Sequence, residues 1–387
     1  MIKSQMSSEH LLFRESLRSF IQQEILPYID EWEQNREVDV KVWRKLGEMG
    51  FLGLNFAEEH GGLALDFYYS FIFCEEISQC FSGGFTISAL VIQFMAAPYL
   101  EKYGSEWIKD RYLKAVLAGD KTCAIAITEP DVGSDVQKIT TSATFDGEFY
   151  IVNGSKTFIT NGCSSDFIIT AVKTNPDKGN KGISLLIIDQ NAAGVSNRKI
   201  DKMGWHASDT AEIHFDQVKV PKENLVGQLD QGFKYLMEGL QLERLVTSIY
   251  CLSSADCAVN YTLDYIRSRS AFGRTIKDFQ VVRHRLSKLM AEIEVLRSFV
   301  LYCCSLQDQH LYAVKECTIA KLKASELYIQ VTNECLQFFG GYGYTEEYKI
   351  ARLYRDARAG TIIGGTSEIM LEILSKVYID QLTYTRS

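Results

Sequence analysis

Residues 141–154 read TSATFDGEFYIVNG, and this stretch decides how the chain divides into structural regions. Two short runs rich in β-branched and aromatic residues are separated by Asp146-Gly147, and the second run ends at Asn153-Gly154. Asn, Asp and Gly tolerate the positive φ angles of tight turns, so both dipeptides predict hairpins between strands. The stretch therefore predicts antiparallel β structure in the middle of the chain.

Two further runs of apolar and β-branched residues follow. Phe167–Lys173 and Ile183–Asp189 each have the length and composition of a buried strand, and the polar segment 175–181 joins them. Together with the first two runs they predict a small antiparallel β domain over residues 121–231.

Helical patterns lie on both sides of this β region. Before it, Phe13, Leu17 and Phe20 recur at the spacing of one helix face. After it, long apolar stripes with short connections are typical of a four-helix bundle. The patterns predict helices over 233–267, 278–306 and 314–339, and a shorter one from Thr366. We therefore predict an α+β protein with an N-terminal α-helical domain (1–120), a middle antiparallel β domain (121–231) and a C-terminal four-helix bundle (232–387).

The composition excludes several classes of protein. Of the 387 residues, 46% are hydrophobic, and the net charge of −8 opposes binding to a nucleic-acid backbone. The apolar segment 85–100 is interrupted by Ser88, Gln93 and Pro98 and is too short to span a membrane. Residues 1–8 have no apolar core, so we expect no signal peptide. The ten cysteines form no C-x-x-C pair, which favours reduced thiols in a cytoplasmic protein.

Two common kinds of site are also excluded. The segment 340–343 reads GGYG, but it follows a predicted helix rather than a strand, so it is not a Rossmann phosphate loop. No group of His, Cys, Asp or Glu has the spacing of metal ligands, so we expect no metal.

Short polar and glycine-rich signatures run through almost the whole chain. Residues 127–135 read ITEPDVGSD, 156–162 read KTFITNG, 267–273 read RSRSAFG with Gln280 following, 337–344 read QFFGGYGY, and 365–369 read GTSEI. In this order they resemble the signatures of the acyl-CoA dehydrogenase family. The helical, β and helical regions predicted above also match the architecture of that family.

The resemblance implies FAD as the cofactor. In the family, the residue that matches Thr128 hydrogen-bonds the flavin ring, Phe158 would lie against that ring, and Thr160 would offer its hydroxyl near flavin N5. The residues that match Arg269 and its neighbours contact the FAD of an adjacent subunit, and a forked guanidinium suits a diphosphate. The cofactor-binding positions implied are Ile125, Ile127, Thr128, Ser134, Phe158, Thr160, Arg269, Phe272, Gln280, Gln337, Gly340, Gly341, Thr366 and Glu368.

The same resemblance points to the catalytic base. The family's reaction takes a proton from the α-carbon of an acyl thioester while a hydride passes from the β-carbon to flavin N5. Most members carry a Glu just before the Gly-Thr of the last signature, but this chain has Gly364 there. A minority, including the isovaleryl and long-chain enzymes, carry the Glu in an E-R-L context on the first bundle helix. Residues 242–245 read LERL, so we expect Glu243 to be the base, with Glu238 as the second candidate.

Other residues near the reacting atoms follow from this assignment. The backbone N–H of Gly364 is expected to serve the thioester carbonyl, which makes Gly364 part of the catalytic group. The substrate-binding positions implied are Ser134, Arg244, Gly364 and Gly365.

The partners implied are an acyl thioester on CoA or on a carrier protein, an electron-transfer flavoprotein or oxygen as acceptor, and a homotetramer. Two alternatives keep the fold. One is a dehydrogenase or oxidase of an acyl or aminoacyl group held on a carrier protein. The other is a non-catalytic flavin-binding paralogue, which the intact Glu243 argues against.

Overall fold

The computed structural model describes residues 6–384. Residues 1–5, part of the stretch in which no signal peptide is expected, lie outside the described residues. The helices are α1 (Ser8–Phe20), α2 (Ile29–Asn35), α3 (Lys41–Glu48), α4 (Phe67–Ile77), α5 (Gly83–Leu90), α6 (Ala97–Tyr103), α7 (Glu106–Ile108), α8 (Lys114–Leu117), α9 (Gly232–Ser268), α10 (Gln280–Asp308), α11 (Val314–Phe339), α12 (Lys349–Ala357) and α13 (Ser367–Tyr378).

The strands lie between α8 and α10. They are β1 (Cys123–Ala126), β2 (Ser142–Phe145), β3 (Phe149–Thr160), β4 (Phe167–Lys173), β5 (Ile183–Asp189), β6 (Val195–Lys199), β7 (Thr210–Pro221), β8 (Leu225–Val226), β9 (Ser270–Ala271) and β10 (Arg274–Thr275). The predicted order of helical, β and helical regions is confirmed. The predicted domain boundaries at 120/121 and 231/232 stay predictions, although β1 and α9 begin close to them.

One continuous helical stretch dominates the N-terminal region. A π-helical turn, Val91–Ala96, joins α5 to α6, so the helix runs from Gly83 to Tyr103. Within the described residues it is the one helix long and apolar enough to cross a membrane, but 94% of its most apolar window is buried inside the protein. A core helix of a large protein has the same composition, because it is surrounded by apolar neighbours on every side.

The main sheet has the order β6-β7-β3-β2-β4-β5-β8, with β1 beside β4. Most neighbours are antiparallel, as predicted. β4 departs from that prediction, because it pairs in parallel with β1 and at one position with β2.

The Asn153-Gly154 hairpin prediction is wrong. β3 continues through both residues to Thr160, because β7 pairs with it along almost its whole length. The register shifts between Val152 and Gly154, which marks a β-bulge rather than a turn. Gly154 has a φ of 144°, and a Cβ there would lie 2.7 Å from Thr141. The glycine therefore permits a close approach of two backbones inside the sheet.

Alternate residues of the central strands belong to two cores. On β4, Phe167, Ile169 and Ala171 join the large core that the helices form, whereas Ile168 and Val172 face a smaller core on the other side of the sheet. Successive side chains of a strand point to opposite faces, so this alternation is expected of a strand whose two faces are both covered. One face of the sheet therefore packs directly against the helical regions.

The C-terminal region is built on three long helices. α11 packs against α9, α10, α12 and α13, and α9 and α10 also contact each other. The N-terminal helix α4 packs against both α9 and α10. The helical regions at the two ends of the chain thus share one continuous apolar core.

A buried carboxylate connects all three regions. Asp356 on α12 is 1% exposed. Its Oδ2 accepts a hydrogen bond of 2.9 Å from the N–H of Gly83, where α5 begins, and its Oδ1 accepts one of 2.6 Å from the N–H of Trp205 in the β region. Trp205 then donates through its indole Nε1 to the hydroxyl of Tyr250 on α9 at 2.9 Å.

We expect Asp356→Ala to lower the free energy of unfolding by about 2–5 kcal/mol, because two buried N–H groups would lose their acceptor. Urea denaturation followed by circular dichroism measures this loss. The matched control is Asp264→Ala, which removes an exposed carboxylate that pairs with Arg267 and should cost less than about 0.5 kcal/mol. A loss below about 1 kcal/mol for Asp356→Ala would contradict the structural role of this carboxylate.

Candidate active site

Glu243 lies on α9 with its carboxyl group inside the protein. The residue is 8% exposed, and the hydroxyl of Tyr99 donates a hydrogen bond of 3.1 Å to its Oε1. Burial raises the pKa of Glu243 to about 7, while the Tyr99 hydrogen bond and the Arg244 guanidinium act in the opposite direction. A carboxyl group with a pKa near 7 is suited to accept and release protons at neutral pH.

A cavity of about 450 Å³ lies between the helical stretch Gly83–Tyr103 and α9. Its lining includes Tyr99, the hydrogen-bond partner of Glu243, and Leu242, the neighbour of Glu243 in the chain. Apolar residues form part of the wall, as they do in most cavities that bind small molecules.

Glu238 lines the same cavity but has a different environment. Its Oε2 accepts hydrogen bonds from Lys102 Nζ at 2.5 Å and from the Tyr103 hydroxyl at 2.7 Å. Burial opposes ionisation of Glu238, but these two partners outweigh it, so the pKa of the carboxyl is lowered. A carboxylate held ionised beside a lysine is a weaker base, which supports Glu243 over Glu238.

The structure brings Gly364 next to the turn of α9 that carries Glu243. A Cβ at Gly364 would lie 4.0 Å from Thr247 Oγ1, and that hydroxyl donates a hydrogen bond of 2.7 Å to the carbonyl of Glu243. No other atom outside the neighbouring residues would lie within 4 Å of that Cβ, so position 364 has room for a side chain. The backbone at position 364 therefore lies close to the turn of α9 that carries position 243.

The Gly364-Gly365 turn is held from the side by a buried lysine. Both glycines have positive φ angles, 60° and 98°. The Nζ of Lys321, on α11, donates a hydrogen bond of 2.6 Å to the carbonyl of Gly365. α13 begins directly after this turn, and its cap residue Thr366 accepts from the N–H of Ile369.

Arg244 faces into the protein rather than into solvent. It is 6% exposed, and its Nε has no hydrogen-bond partner. Burial lowers the pKa of the guanidinium, whereas the carboxylate of Glu243 raises it. A buried cation with an unused donor suits the predicted position beside a polar part of a ligand.

The loop that follows β1 is fixed to β3 by a buried ion pair. Lys156 Nζ lies 2.9 Å from Glu129 Oε1 and donates a second hydrogen bond of 2.9 Å to the carbonyl of Ile127. Burial opposes ionisation of Glu129, but Lys156 and the donors of Thr140 and Thr141 outweigh it and lower the pKa to about 2. This pair ties the segment 127–135 to the segment 156–162.

Phe158 projects from a β-bulge within the segment 156–162. The pairing of β3 with β7 shifts between Lys156 and Ile159, and Phe158 has a φ of 59° with 66% of its surface exposed. A bulky residue in this backbone conformation is uncommon and marks a position with a special role. An exposed aromatic side chain aimed by a bulge fits the wall of a flat ring system, as the implied flavin requires.

The remaining predicted residues of the β region lie on β1, on β3 or in the loop that follows β1. Thr128 and Thr160 are half-buried, and the N–H of Thr157 donates to the carbonyl of Thr128 at 2.9 Å. Ile125 and Ile127 are half-buried at and after β1, whereas Ser134 is exposed in the loop that follows.

A second group of predicted residues gathers at the far end of α9. Arg269 follows the last residue of α9, and its guanidinium carbon lies 5.4 Å from the centre of the Tyr342 ring, in the 3₁₀ turn Gly340–Tyr344. Phe272 is 95% exposed with a φ of 53°. Gln280, Gln337, Gly340 and Gly341 are also exposed. Glu368 is exposed too, but it lies on α13 just after the Gly364-Gly365 turn and so does not belong to this group.

The two groups of predicted cofactor residues therefore occupy different parts of the chain. Phe158, Thr128 and Thr160 lie on the β region, and the Arg269 group lies at the end of the bundle. Arg269 and Phe272 are exposed, and the expectation that they contact the cofactor of another subunit stays a prediction.

The sequence analysis did not predict a role for three buried residues. Tyr99 contacts Glu243, Lys321 holds the Gly364-Gly365 turn, and Glu129 pairs with Lys156. Lys156 and Glu129 do lie within the quoted signatures, and the charged Lys156 inside a strand is the signal that could have indicated the pair. Within residues 6–384, no group of three His, Cys, Asp or Glu side chains is arranged to hold a metal ion.

Known proteins resemble this chain along almost its full length. Family profiles of the acyl-CoA dehydrogenase N-terminal, middle and C-terminal domains match residues 7–120, 124–218 and 230–379. The mitochondrial long-chain specific acyl-CoA dehydrogenase of Sus scrofa is 41% identical over 375 residues, which cover 96% of this chain and 86% of that protein. The 3-(aryl)acrylate reductase of Clostridium sporogenes is 36% identical over 370 residues, with coverage of 95% and 98%.

Solved structures agree with the sequence comparison. The crystal structure of an acyl-CoA dehydrogenase from Geobacillus kaustophilus has a TM-score of 0.93 and 40% identity, with coverage of 96% of this chain and 98% of that one.

We expect Tyr99→Phe to raise the pKa of Glu243 above its value of about 7, because the lost hydrogen bond stabilises the ionised carboxylate. Infrared difference spectra over a pH titration would follow the C=O band of the protonated carboxyl group, identified by its absence in Glu243→Gln. Tyr103→Phe is the control, since that hydroxyl contacts Glu238 instead. An unchanged or lowered pKa in Tyr99→Phe would contradict the hydrogen bond.

Proposed function

Because the chain belongs to the acyl-CoA dehydrogenase family, we propose that it is an FAD-dependent oxidoreductase that removes two hydrogens from the α- and β-carbons of an acyl-CoA. The family resemblance predicted from the sequence signatures is confirmed by the profile matches and by the relatives. The observation that carries the mechanism is the buried carboxyl group of Glu243, with its raised pKa and its place beside the cavity.

Glu243 takes the proton from the α-carbon. Its pKa near 7 leaves a large ionised fraction at neutral pH and still makes the carboxylate a useful base. The hydroxyl of Tyr99 holds one carboxylate oxygen, which leaves the other oxygen available for the proton. Because the Glu243 carboxyl group is buried, little water surrounds it.

When the α-proton leaves, negative charge develops on the oxygen of the thioester carbonyl. That oxygen therefore needs a hydrogen-bond donor. The N–H of Gly364 supplies that donor in this proposal, and the hydrogen bond from Lys321 to Gly365 fixes the turn that presents it. Gly365, Arg244 and Ser134 complete the proposed contacts to the substrate.

FAD fits the residues present, and when bound it supplies the acceptor for the hydride of the β-carbon. Phe158 offers an exposed aromatic face, and the half-buried Thr128 and Thr160 offer hydroxyl groups. Arg269 offers a permanent charge for a diphosphate. The proposed set also includes Ile125, Ile127, Phe272, Gln280, Gln337, Gly340, Gly341, Thr366 and Glu368.

We propose a homotetramer as the assembly and an electron-transfer flavoprotein as the electron acceptor. Exposed Phe272 and Arg269, remote from Phe158 in the chain, support a contribution of each subunit to a neighbour's cofactor site. We also propose a cytoplasmic location, which the ten free cysteines, nine of them buried, support.

The two alternatives are not favoured. A carrier-protein dehydrogenase or oxidase would share the fold, but the relatives reported above are named for acyl-CoA or aryl acrylate chemistry. A non-catalytic paralogue has no need to keep Glu243 buried beside a cavity with a donor on its carboxylate.

Anaerobic reduction of the flavin by acyl-CoAs tests the proposed function. The wild-type protein should lose its visible absorbance with an acyl-CoA, whereas Glu243→Gln should keep its flavin and react about 10²–10⁴ times more slowly, because the α-proton has no base. Stopped-flow absorbance measures both rates. Glu238→Gln is the matched control on the same helix and should retain most of the rate.

Two outcomes would contradict this proposal. A wild-type protein that is reduced only by carrier-bound acyl groups would move the function to the first alternative. A Glu243→Gln variant with a rate close to that of wild type would exclude Glu243 as the base.

We expect Arg269→Ala to weaken FAD binding, because the diphosphate would lose a permanent cationic partner. The measurement is the ratio of flavin to protein absorbance after gel filtration. Arg267→Ala is the control, since this exposed arginine pairs with Asp264 on its own helix. Equal flavin retention in the two variants would remove Arg269 from the cofactor site.

A further inference from the structure

Gln93 is a buried amide without a partner. Its side chain is 2% exposed, and neither its Nε2 nor its Oε1 has a hydrogen-bond partner. Buried polar groups in folded proteins almost always have hydrogen-bond partners, so a buried amide with no partner for its nitrogen or its oxygen is unusual. Gln93 is one of the residues that line the cavity of about 450 Å³ described above, so a ligand in that cavity would lie against this residue.

The position of Gln93 in its helix places it away from the reacting carbons. It lies in the π-helical turn Val91–Ala96, six residues before Tyr99, the residue that contacts Glu243. Six residues correspond to about 9 Å along a helix axis. π-helical turns inside α-helices often occur at functional sites, because the extra residue changes the direction of nearby side chains.

Other amides on the wall of this cavity are satisfied within the protein. The Asn55 amide donates to the carbonyls of Leu65 and Asp66 at 2.8 and 2.9 Å. The Gln241 amide donates to Gln307 Oε1 and accepts from the N–H of Ala313 at 2.7 Å. These amides hold loops in place, whereas Gln93 contributes no such contact.

Part of the cavity wall is apolar. It includes Phe67, Phe94 and Pro98, none of which offers a side-chain partner for an amide. A plain alkyl chain in this cavity would leave the donor and the acceptor of Gln93 unsatisfied, at a cost in affinity. A hydroxyl group can both donate and accept, so one hydroxyl can satisfy both ends of the amide.

We propose that Gln93 binds a hydroxyl group on the acyl chain, beyond the α- and β-carbons, and that the enzyme selects hydroxylated acyl-CoAs over plain alkyl ones of the same length. The inference rests on the proposed acyl-CoA dehydrogenase function and names its substrate class. Gln93 is then a specificity-determining residue, since it contacts a part of the substrate that does not react.

The first test uses the wild-type holoenzyme. Saturated acyl-CoAs of one chain length, with no hydroxyl or with one hydroxyl at successive positions beyond the β-carbon, are compared by kcat/KM with an artificial electron acceptor. We expect one hydroxylated isomer to exceed the plain acyl-CoA by about tenfold or more. Equal values across the series would overturn the inference.

The second test uses Gln93→Leu, which keeps a similar size and removes the donor and the acceptor. The preferred hydroxylated isomer should lose about tenfold or more in kcat/KM relative to wild type, and the plain acyl-CoA should gain. Phe94→Leu is the matched control: it changes the same wall without a polar group, so the ratio between the two substrates should stay at the wild-type value. An unchanged ratio in Gln93→Leu would overturn the inference, and the wild-type series decides the matter if that variant does not fold.

The outcomes separate this inference from the proposed function. Flavin reduction by plain and hydroxylated acyl-CoAs at equal rates contradicts the role of Gln93 and leaves the dehydrogenase function in place. Failure of every acyl-CoA to reduce the flavin contradicts both.

Discussion

The geometry of the candidate site depends on the buried hydrogen bonds of Asp356. This carboxylate joins the start of α5 to the Trp205 segment, and Trp205 in turn contacts α9. The helix that begins at α5 brings Tyr99 to the cavity, and α9 brings Glu243. Removing a hydrogen-bond partner from a buried carboxyl group lowers stability more than removing one from an exposed group. These contacts therefore hold the three regions in one arrangement. Contacts outside the cavity thus join the two helices that carry Tyr99 and Glu243.

Two carboxyl groups on one helix show how the surroundings determine chemistry. Glu243 is buried with a neutral hydroxyl as its partner, so its pKa rises to about 7. Glu238 lies five residues earlier and faces Lys102, so its pKa is lowered. The same side chain thus serves as a proton acceptor in one place and as a charge partner in the other. The choice between the two candidates follows from burial and partner rather than from position in the cavity.

Much of the fold was predictable because local patterns agree with the final packing. β4, β5 and α11 have the predicted bounds, since long apolar runs and stripes remain buried in the structure. The Asn153-Gly154 turn was mispredicted because β7, far along the chain, pairs with β3 through it. The signatures predicted Glu243, but the contact with Tyr99 joins residues 144 positions apart, which no local pattern reveals. Gln93 had been noted only as a polar interruption of an apolar segment, because sequence does not show which buried amides lack partners.

The length of α9 has a consequence for how the protein behaves in solution. Glu243 lies near its start and Arg269 directly after its end, and the 26 intervening steps span about 39 Å. Under the proposed assembly, each such helix carries one subunit's base and a contact for its neighbour's cofactor. Cofactor binding and subunit association are then linked by mass action, so dilution favours release of the flavin and added flavin favours the assembled state. The visible absorbance of bound flavin per subunit would then be lower in protein that has been diluted.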